Sequence, residues 1–240
     1  MTAMQLTDKV AVITGATSGI GLAVAKELRQ LGMRLVLTGR TEQRLKSLCA
    51  ELEAVGFAAN VTDAEVPARL LELSLQTFGR CDVVFNNAGL IEVGPIASIS
   101  VDKVCEMVRV NVEAAFRVAY TFMKHFVSRG EGHLINTSSV LGTKIRPTAG
   151  AYAGTKYAIE ALSEALRVEV AGSGVAVTCI EPGLVVTGLH RDWPVHPSET
   201  MKMRHPLTPE DVARSVAFVL TQPAHVRIPR LMILPGENQI

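Results

Sequence analysis

The sequence predicts an α/β protein: a three-layer, doubly wound fold built on a mostly parallel, seven-stranded sheet. Three observations lead there. Short apolar runs alternate with longer amphipathic segments throughout the chain, a rhythm that calls for strand-helix units and a parallel sheet covered on both faces. The 240 residues can bury one large core, and neither composition nor punctuation marks a linker, so a single domain over 1–240 is expected. The junction between the first apolar run and the first helical segment is rich in glycine, as expected of a ligand-binding turn at the sheet's carboxyl edge.

Taken in order, the first strand is expected at 9–14 around Val10-Ala11-Val12-Ile13, followed by a helix at 20–31. A strand at 34–38 precedes a helix at 42–54, a strand at 56–60 precedes a helix at 65–78, and a strand at 81–86 precedes a long helix at 101–127. Strands at 132–137 and 175–180 flank a helix at 151–171, and a helix at 209–220 leads to a last strand at 227–234. The helix at 209–220 has a marked start: Thr208 can cap it, Pro209 suits the first helical position, and Glu210 and Asp211 favour the positive end of its dipole. The helices at 101–127 and 151–171 could offer an apolar face to a second subunit, giving a homodimer or homotetramer, although core packing explains the same pattern.

Several function classes are poor fits. A formal charge of +1 with scattered Lys and Arg offers no field for nucleic acid. Apolar residues make up 48% but come in strand-length pieces, well short of the roughly 20 consecutive residues a membrane span needs. Too few residues precede Val10 for a signal peptide, so a cytoplasmic protein is expected. Cys49, Cys81, Cys105 and Cys179 are far apart and expected as free thiols. His190, His196 and His205 have irregular spacing with interleaved Pro, so ordinary loop roles and no metal are expected.

Gly15, Gly19 and Gly21 sit where strand becomes helix, within Thr14-Gly15-Ala16-Thr17-Ser18-Gly19-Ile20-Gly21. Missing Cβ atoms there permit a tight turn and let backbone N–H groups approach a pyrophosphate. The G-x-x-x-G-x-G spacing departs from the G-x-G-x-x-G dinucleotide fingerprint but keeps its placement. The second strand ends without the acidic residue that would hold a ribose 2′-hydroxyl, and Arg40 follows it. A guanidinium can grip a 2′-phosphate that a carboxylate would repel. NADP(H) is therefore favoured, with NAD(H) possible; the alternative is that Arg40 is a solvated surface residue.

Tyr152 and Lys156 lie four apart on one helix face, and Ser139 stands thirteen residues before the Tyr. A phenol of ordinary pKa about 10 is a poor acid or base near neutrality, so it needs help from a nearby positive charge. Ser139 could hold a carbonyl oxygen for hydride attack. Tyr and Lys one turn apart also occur on plain helix surfaces.

With these motifs in order, the sequence resembles the short-chain dehydrogenase/reductase family, in its short single-domain branch, over nearly the whole chain. Gly15, Gly19 and Gly21, with Thr17, Ser18 and Ile20 between them, match the family's cofactor turn. Asn86-Asn87-Ala88-Gly89 matches the stretch after its fourth strand, and Pro182-Gly183-Leu184-Val185-Val186-Thr187 its P-G-x-V-x-T stretch. Asn111, Ser139, Tyr152 and Lys156 fall on its catalytic tetrad, the spacing selecting Ser139 over Ser138.

The resemblance implies a Rossmann-type catalytic domain that interconverts an alcohol and a carbonyl in a small-molecule substrate. Tyr152 would exchange the proton, Lys156 would lower the Tyr152 pKa and bind the nicotinamide ribose, and Asn111 would hold a water through its backbone. Asn60 and Val61 would meet the adenine, Asn60 standing where the family often has Asp. Asn87, Ala88, Gly89, Pro182 and Gly183 would line the cofactor, with the Val185 backbone on the carboxamide and Thr187 on a phosphate. The ending from Leu234 onward lacks the Gly-Gly of acyl-carrier-protein reductases, and the general look is nearer the 3-hydroxy acid and serine dehydrogenase branch. A silent NADP(H)-sensing protein on the same fold stays open as an alternative; a sugar epimerase or dehydratase would usually carry a longer substrate domain.

Substrate choice is expected to lie in 91–94, in 140–146 and in the segment 188–207. Trp193, Leu189, Met201 and Met203 could form an apolar lid there, or simply pack the segment down. Lys144 or Arg146 could meet an acidic substrate group, or face solvent.

Overall fold

The computed structural model describes residues 5–190, 193, 195, 197–201 and 203–237. Seven parallel strands form one sheet in the order β3-β2-β1-β4-β5-β6-β7. They are β1 (Val10–Thr14), β2 (Arg34–Gly39), β3 (Val55–Ala58), β4 (Val83–Asn86), β5 (Glu131–Thr137), β6 (Gly174–Pro182) and β7 (Arg230–Ile233). The helices are α1 (Gly19–Gln30), α2 (Glu42–Leu52), α3 (Val66–Phe78), α4 (Val101–Val108), α5 (Ala115–Arg129), α6 (Gly150–Glu169), the short α7 (Pro197–Thr200) and α8 (Pro209–Leu220). The doubly wound class read from the sequence is the class observed. Strand order reverses between β1 and β4, which opens a crevice at their carboxyl ends, the position where such sheets bind ligands.

Period-two alternation explains how an all-apolar strand serves two faces. Ala11 and Ile13 of β1 join a core with Val24 and Leu28 of α1, Leu48 of α2 and Val216 of α8. Val10 and Val12 point the other way, to Leu70 of α3, Phe122 and Phe126 of α5 and Leu166 of α6. The start of α8 is as expected. Thr208 accepts from the Asp211 N–H at 3.3 Å, and the Asp211 carboxylate accepts the Thr208 N–H at 2.7 Å. Asp211, read from the sequence as a dipole partner, thus also closes a reciprocal cap.

Boundaries differ where local geometry decides. β3 ends at Ala58, so Asn60 stands beyond the strand, and β7 occupies only Arg230–Ile233 of the expected 227–234. β4 begins at Val83 rather than 81, although the Asp82 backbone still donates to the Val10 carbonyl at 3.0 Å and accepts the His133 N–H at 2.9 Å. The expected helix at 101–127 is helical throughout but contains a π turn at Arg109–Ala114, a wider winding that often marks functional positions. Nothing in hydrophobic periodicity signals that insertion.

Asp82 is 8% exposed and accepts the Val10 N–H at 2.8 Å and Arg80 Nε at 2.8 Å, with Lys9 Nζ at 3.5 Å. Burial pushes its pKa up, but hydrogen bonds from Arg80 and Val10 and the charges of Lys9 and Arg80 outweigh this and hold it below the ordinary value. A depressed carboxyl stabilises the fold above its unfolded pKa of about 3.9 and loses that contribution as pH falls through the folded value. Asp82→Ala should therefore cost about 1–3 kcal/mol at neutral pH by denaturant titration. The cost should shrink in acid, and a cost independent of pH would show that the carboxylate charge plays no part.

Candidate functional site

The crevice is a cleft of ≈ 1310 Å³ lined by Gly15, Thr17, Ser18, Gly19 and Ile20 on one wall and Ser139, Tyr152 and Lys156 on another. Arg40, Asn60, Val61, Asn87, Ala88, Gly89, Pro182, Gly183, Val185 and Thr187 also border it. The residues singled out from the sequence for catalysis or cofactor binding all border this one space except Gly21 and Asn111.

The glycines act on the protein itself. Gly15 has φ +65°, and a Cβ there would sit 3.0 Å from the Ala88 Cα; a Cβ on Gly21 would sit 2.3 Å from the Gly15 carbonyl oxygen. The turn thus closes on itself and on the 87–88 segment. Thr14, not singled out from the sequence, makes the junction: its hydroxyl accepts the N–H groups of Asn87 at 2.9 Å and Ala88 at 3.1 Å. Asn87 Nδ2 donates to the Thr14 carbonyl at 3.1 Å, and Thr137 Oγ1 donates to Asn87 Oδ1 at 3.2 Å. A polar residue ending an otherwise apolar strand was the available signal. Gly39 was also missed; a Cβ there would lie 2.7 Å from the Thr17 hydroxyl. Ser18 precedes α1 without capping it, which leaves its hydroxyl to the cleft.

Arg40 is joined by Arg44 of α2; both are exposed, line the cleft and pair with no carboxylate among the described residues. They stand four positions apart, a spacing that could have flagged Arg44. Asn60 is exposed at the rim, its Oδ1 accepting the Thr62 N–H at 3.3 Å.

The second wall is dry. Tyr152 is 8% exposed, Lys156 6% and Ser139 8%. Burial pushes the Tyr152 phenol up to about 12, against the pull of the Ser139 hydroxyl and the Arg146 charge. Lys156 lies 5.7 Å from the Tyr152 ring centre and donates to the Thr137 carbonyl at 2.8 Å. With its phenol pushed up to about 12, Tyr152 in the chain alone is a neutral donor. Burial depresses Lys156 to about 8, with Cys179 and Glu160 pulling the other way. Ser139 stands two residues past β5 and accepts the Leu141 N–H at 3.1 Å at the start of the turn Val140–Gly142. Ser138 also borders the cleft, but its buried hydroxyl lies under Gly142, where a Cβ would meet it at 2.6 Å.

Asn111 stands inside the π turn, 2% exposed. Its Oδ1 accepts the Leu90 N–H at 2.8 Å, and its Nδ2 donates to the Leu90 carbonyl at 2.8 Å and to Thr155 Oγ1 at 3.1 Å. Asn111 therefore ties the segment after β4 to α6, the helix that carries Tyr152 and Lys156. One turn beyond Lys156, Glu160 is 4% exposed and meets Arg230 at 3.2 Å, with Glu181 at 3.9 Å from the same nitrogen. Its place at i+4 on the Lys156 face was visible in the sequence and was not used.

The substrate end is only partly as expected. Leu189 and Met201 line the cleft beside Ile91, Lys144 and Arg146. Met203 is 8% exposed and Trp193 stacks edge-on against His190 at 4.9 Å, so these two pack the segment down, off the cleft wall. His190 is buried and His205 is exposed; His196 lies outside the described residues. Among the described residues no group of three His, Cys, Asp or Glu is placed for a metal, and no helix is long and apolar enough to cross a membrane. The four cysteines are free.

A glycine turn at the switch point of a doubly wound sheet, faced by a buried phenol and ammonium, suits hydride exchange with a dinucleotide, and the protein is an oxidoreductase. Residues 9–197 match the short chain dehydrogenase family, and the chain belongs to it. An uncharacterised oxidoreductase of Staphylococcus aureus is 35% identical over 96% of this chain and 98% of its own. Among solved structures, a closed serine dehydrogenase complexed with NADP+ is similar at TM-score 0.90 and 30% identity, covering 96% of each chain. A 3-ketoacyl-(acyl-carrier-protein) reductase from Brucella melitensis complexed with NADH is similar at TM-score 0.87 and 26% identity, over 97% of this chain and 99% of that one.

Proposed function

We propose that this chain is one catalytic domain that interconverts an alcohol and a carbonyl with NADP(H), Tyr152 serving as the general acid and base. The observation that carries the reading is the convergence of Ser139, Tyr152 and Lys156 in the same cleft as the Gly15–Gly21 turn. A nicotinamide bound there supplies a hydride to the substrate carbon, or accepts one from it. In reduction the Tyr152 O–H gives its proton to the carbonyl oxygen, and in oxidation the Tyr152 phenolate takes it from the hydroxyl. Ser139 holds that oxygen, and Lys156, kept dry and fixed by Thr137, binds the ribose and supplies positive charge near the phenol. Asn111 keeps α6 in register with the loop after β4, and the π turn around it leaves a backbone carbonyl for a water that reaches Lys156.

The turn backbone from Gly15 to Ile20 suits a pyrophosphate, with Thr187 beside Gly19, where a Cβ would meet it at 3.3 Å. Asn60 and Val61 border the adenine end, while Asn87, Ala88, Gly89, Pro182, Gly183 and the Val185 backbone border the nicotinamide end. Arg40 and Arg44, two guanidiniums with no carboxylate partner among the described residues, favour a 2′-phosphate. Arg40→Ala should raise the KM for NADPH about 10- to 100-fold and move the KM for NADH far less; equal changes for both would remove the argument. The general test is a panel of ketones, oxo acids, alcohols and hydroxy acids with NADPH or NADP+, followed at the nicotinamide absorbance band.

Free cysteines and the absence of a spanning helix among the described residues suit a cytoplasmic protein. Tyr120 and Val127 on α5 and Tyr157 and Val168 on α6 are exposed, and we assign these faces to a homodimer or homotetramer. Sedimentation should give a mass of two or four chains; a monomer at micromolar concentration would contradict it.

A further inference from the structure

We propose that Arg146 anchors a substrate carboxylate, making short-chain oxo acids and hydroxy acids, rather than neutral ketones and alcohols, the substrate class. The inference rests on the reading of Tyr152 as the group that meets the substrate oxygen. Arg146 stands six residues before Tyr152, in the loop that leads into α6. It lines the same cleft as Ser139 and Tyr152, and its positive charge reaches the phenol.

What Arg146 touches is as informative as where it stands. Arg80, Arg117, Arg129, Arg167 and Arg214 each hold a carboxylate of the protein. Among the described residues Arg146 holds none: its side-chain partner is the Met201 sulfur at 3.7 Å. A thioether is a weak acceptor, and a guanidinium fork matches a carboxylate with two parallel hydrogen bonds, so an incoming acid would displace that contact readily.

The surroundings carry the same sign. Lys144 and Arg109 also line the cleft, with Glu106 the one acid among its described lining residues, and none of the four is in an ion pair with another described residue. Three cations to one carboxylate make the lining around the neutral phenol positive. The same cleft is also lined by the apolar Ile91, Leu141, Ile145 and Leu189. A ligand that satisfies both features has an anionic head, a short aliphatic body and an oxygen at Tyr152. Of the two basic residues that the sequence offered for this purpose, Arg146 is the one whose charge acts on the phenol.

The experiment is calorimetric titration of the NADPH-loaded protein, in which a hydroxylated ligand cannot react. The probes are 2-hydroxybutyrate, 3-hydroxybutyrate and the methyl ester of each. The expected result is that at least one acid binds ten times or more tighter than its ester. Arg146→Gln should bring that ratio to about one, Arg146→Lys should keep part of it, and Lys144→Gln should keep most of it. An ester that matches its acid, a ratio that survives Arg146→Gln, or no binding of any acid overturns the proposal. Parallel turnover assays separate the two readings. An Arg146-dependent acid preference without turnover of any hydroxy acid would leave the anchor standing and refute the catalytic role of Tyr152. Turnover of neutral alcohols with no acid preference would do the reverse.

Discussion

Tyr152→Phe is expected to yield a folded protein that binds NADPH and turns over nothing measurable. The ring would stay where it is, packed with Met107, Leu141 and Ala149, and only the hydroxyl would go. No neighbour can replace it. The Ser139 hydroxyl accepts the Leu141 N–H, and the Lys156 ammonium donates to the Thr137 carbonyl. Loss of a positioned acid or base costs about 10²- to 10⁴-fold, and the loss of kcat should reach the upper end because the site is dry. NADPH binding, read by nicotinamide fluorescence, should change less than about threefold on the ordinary scale of lost neutral hydrogen bonds. The wild-type pH dependence belongs to the same argument. With the phenol pushed up to about 12 in the chain alone, alcohol oxidation needs the minor, deprotonated form and should speed up as pH rises. Lys156, depressed to about 8, loses its proton above that pH and its help with it, so the rise should flatten there. Retained turnover in Tyr152→Phe would refute the assignment of this residue.

Gly21→Ala should weaken cofactor binding severely although Gly21 does not itself line the cleft. The new Cβ would stand 2.3 Å from the Gly15 carbonyl oxygen and 2.7 Å from Asn87 Nδ2. The nearest of these atoms is backbone, so relief requires the turn to open, and Asn87, which links β1 to β5, must move with it. Overpacking of this kind costs about 1–3 kcal/mol, and NADPH affinity should fall at least about tenfold, since every backbone donor in the turn shifts together. Gly154→Ala is the matched control. Gly154 is an exposed position inside α6 where a Cβ would meet nothing within 4 Å, so the variant should gain about 0.5–1 kcal/mol from helix propensity. Near-normal NADPH binding in Gly21→Ala would mean the turn tolerates opening and is not the cofactor cradle.

Legibility followed from range of interaction. Thr208, Pro209 and Asp211 act within one helical turn, and the cap they predict is the cap observed. Tyr152 and Lys156 could be paired because a helix sets their spacing. Thr14, Gly39 and Glu160 escaped notice because their partners lie on other elements. The π turn at Asn111 was invisible for another reason: helical apolar spacing tolerates one extra residue without losing its face.

What the sequence determined by itself was the order of strands and helices and the positions of glycine, phenol and ammonium, because periodicity and backbone permissiveness are local properties. What only the tertiary structure decided was the electrostatic state of the wall. Burial, which depends on every element at once, raised the phenol, lowered the ammonium and spent Lys156 on Thr137. The same packing left Arg146 facing the cleft without an acid, and a list of charges along a chain cannot tell a paired guanidinium from a free one.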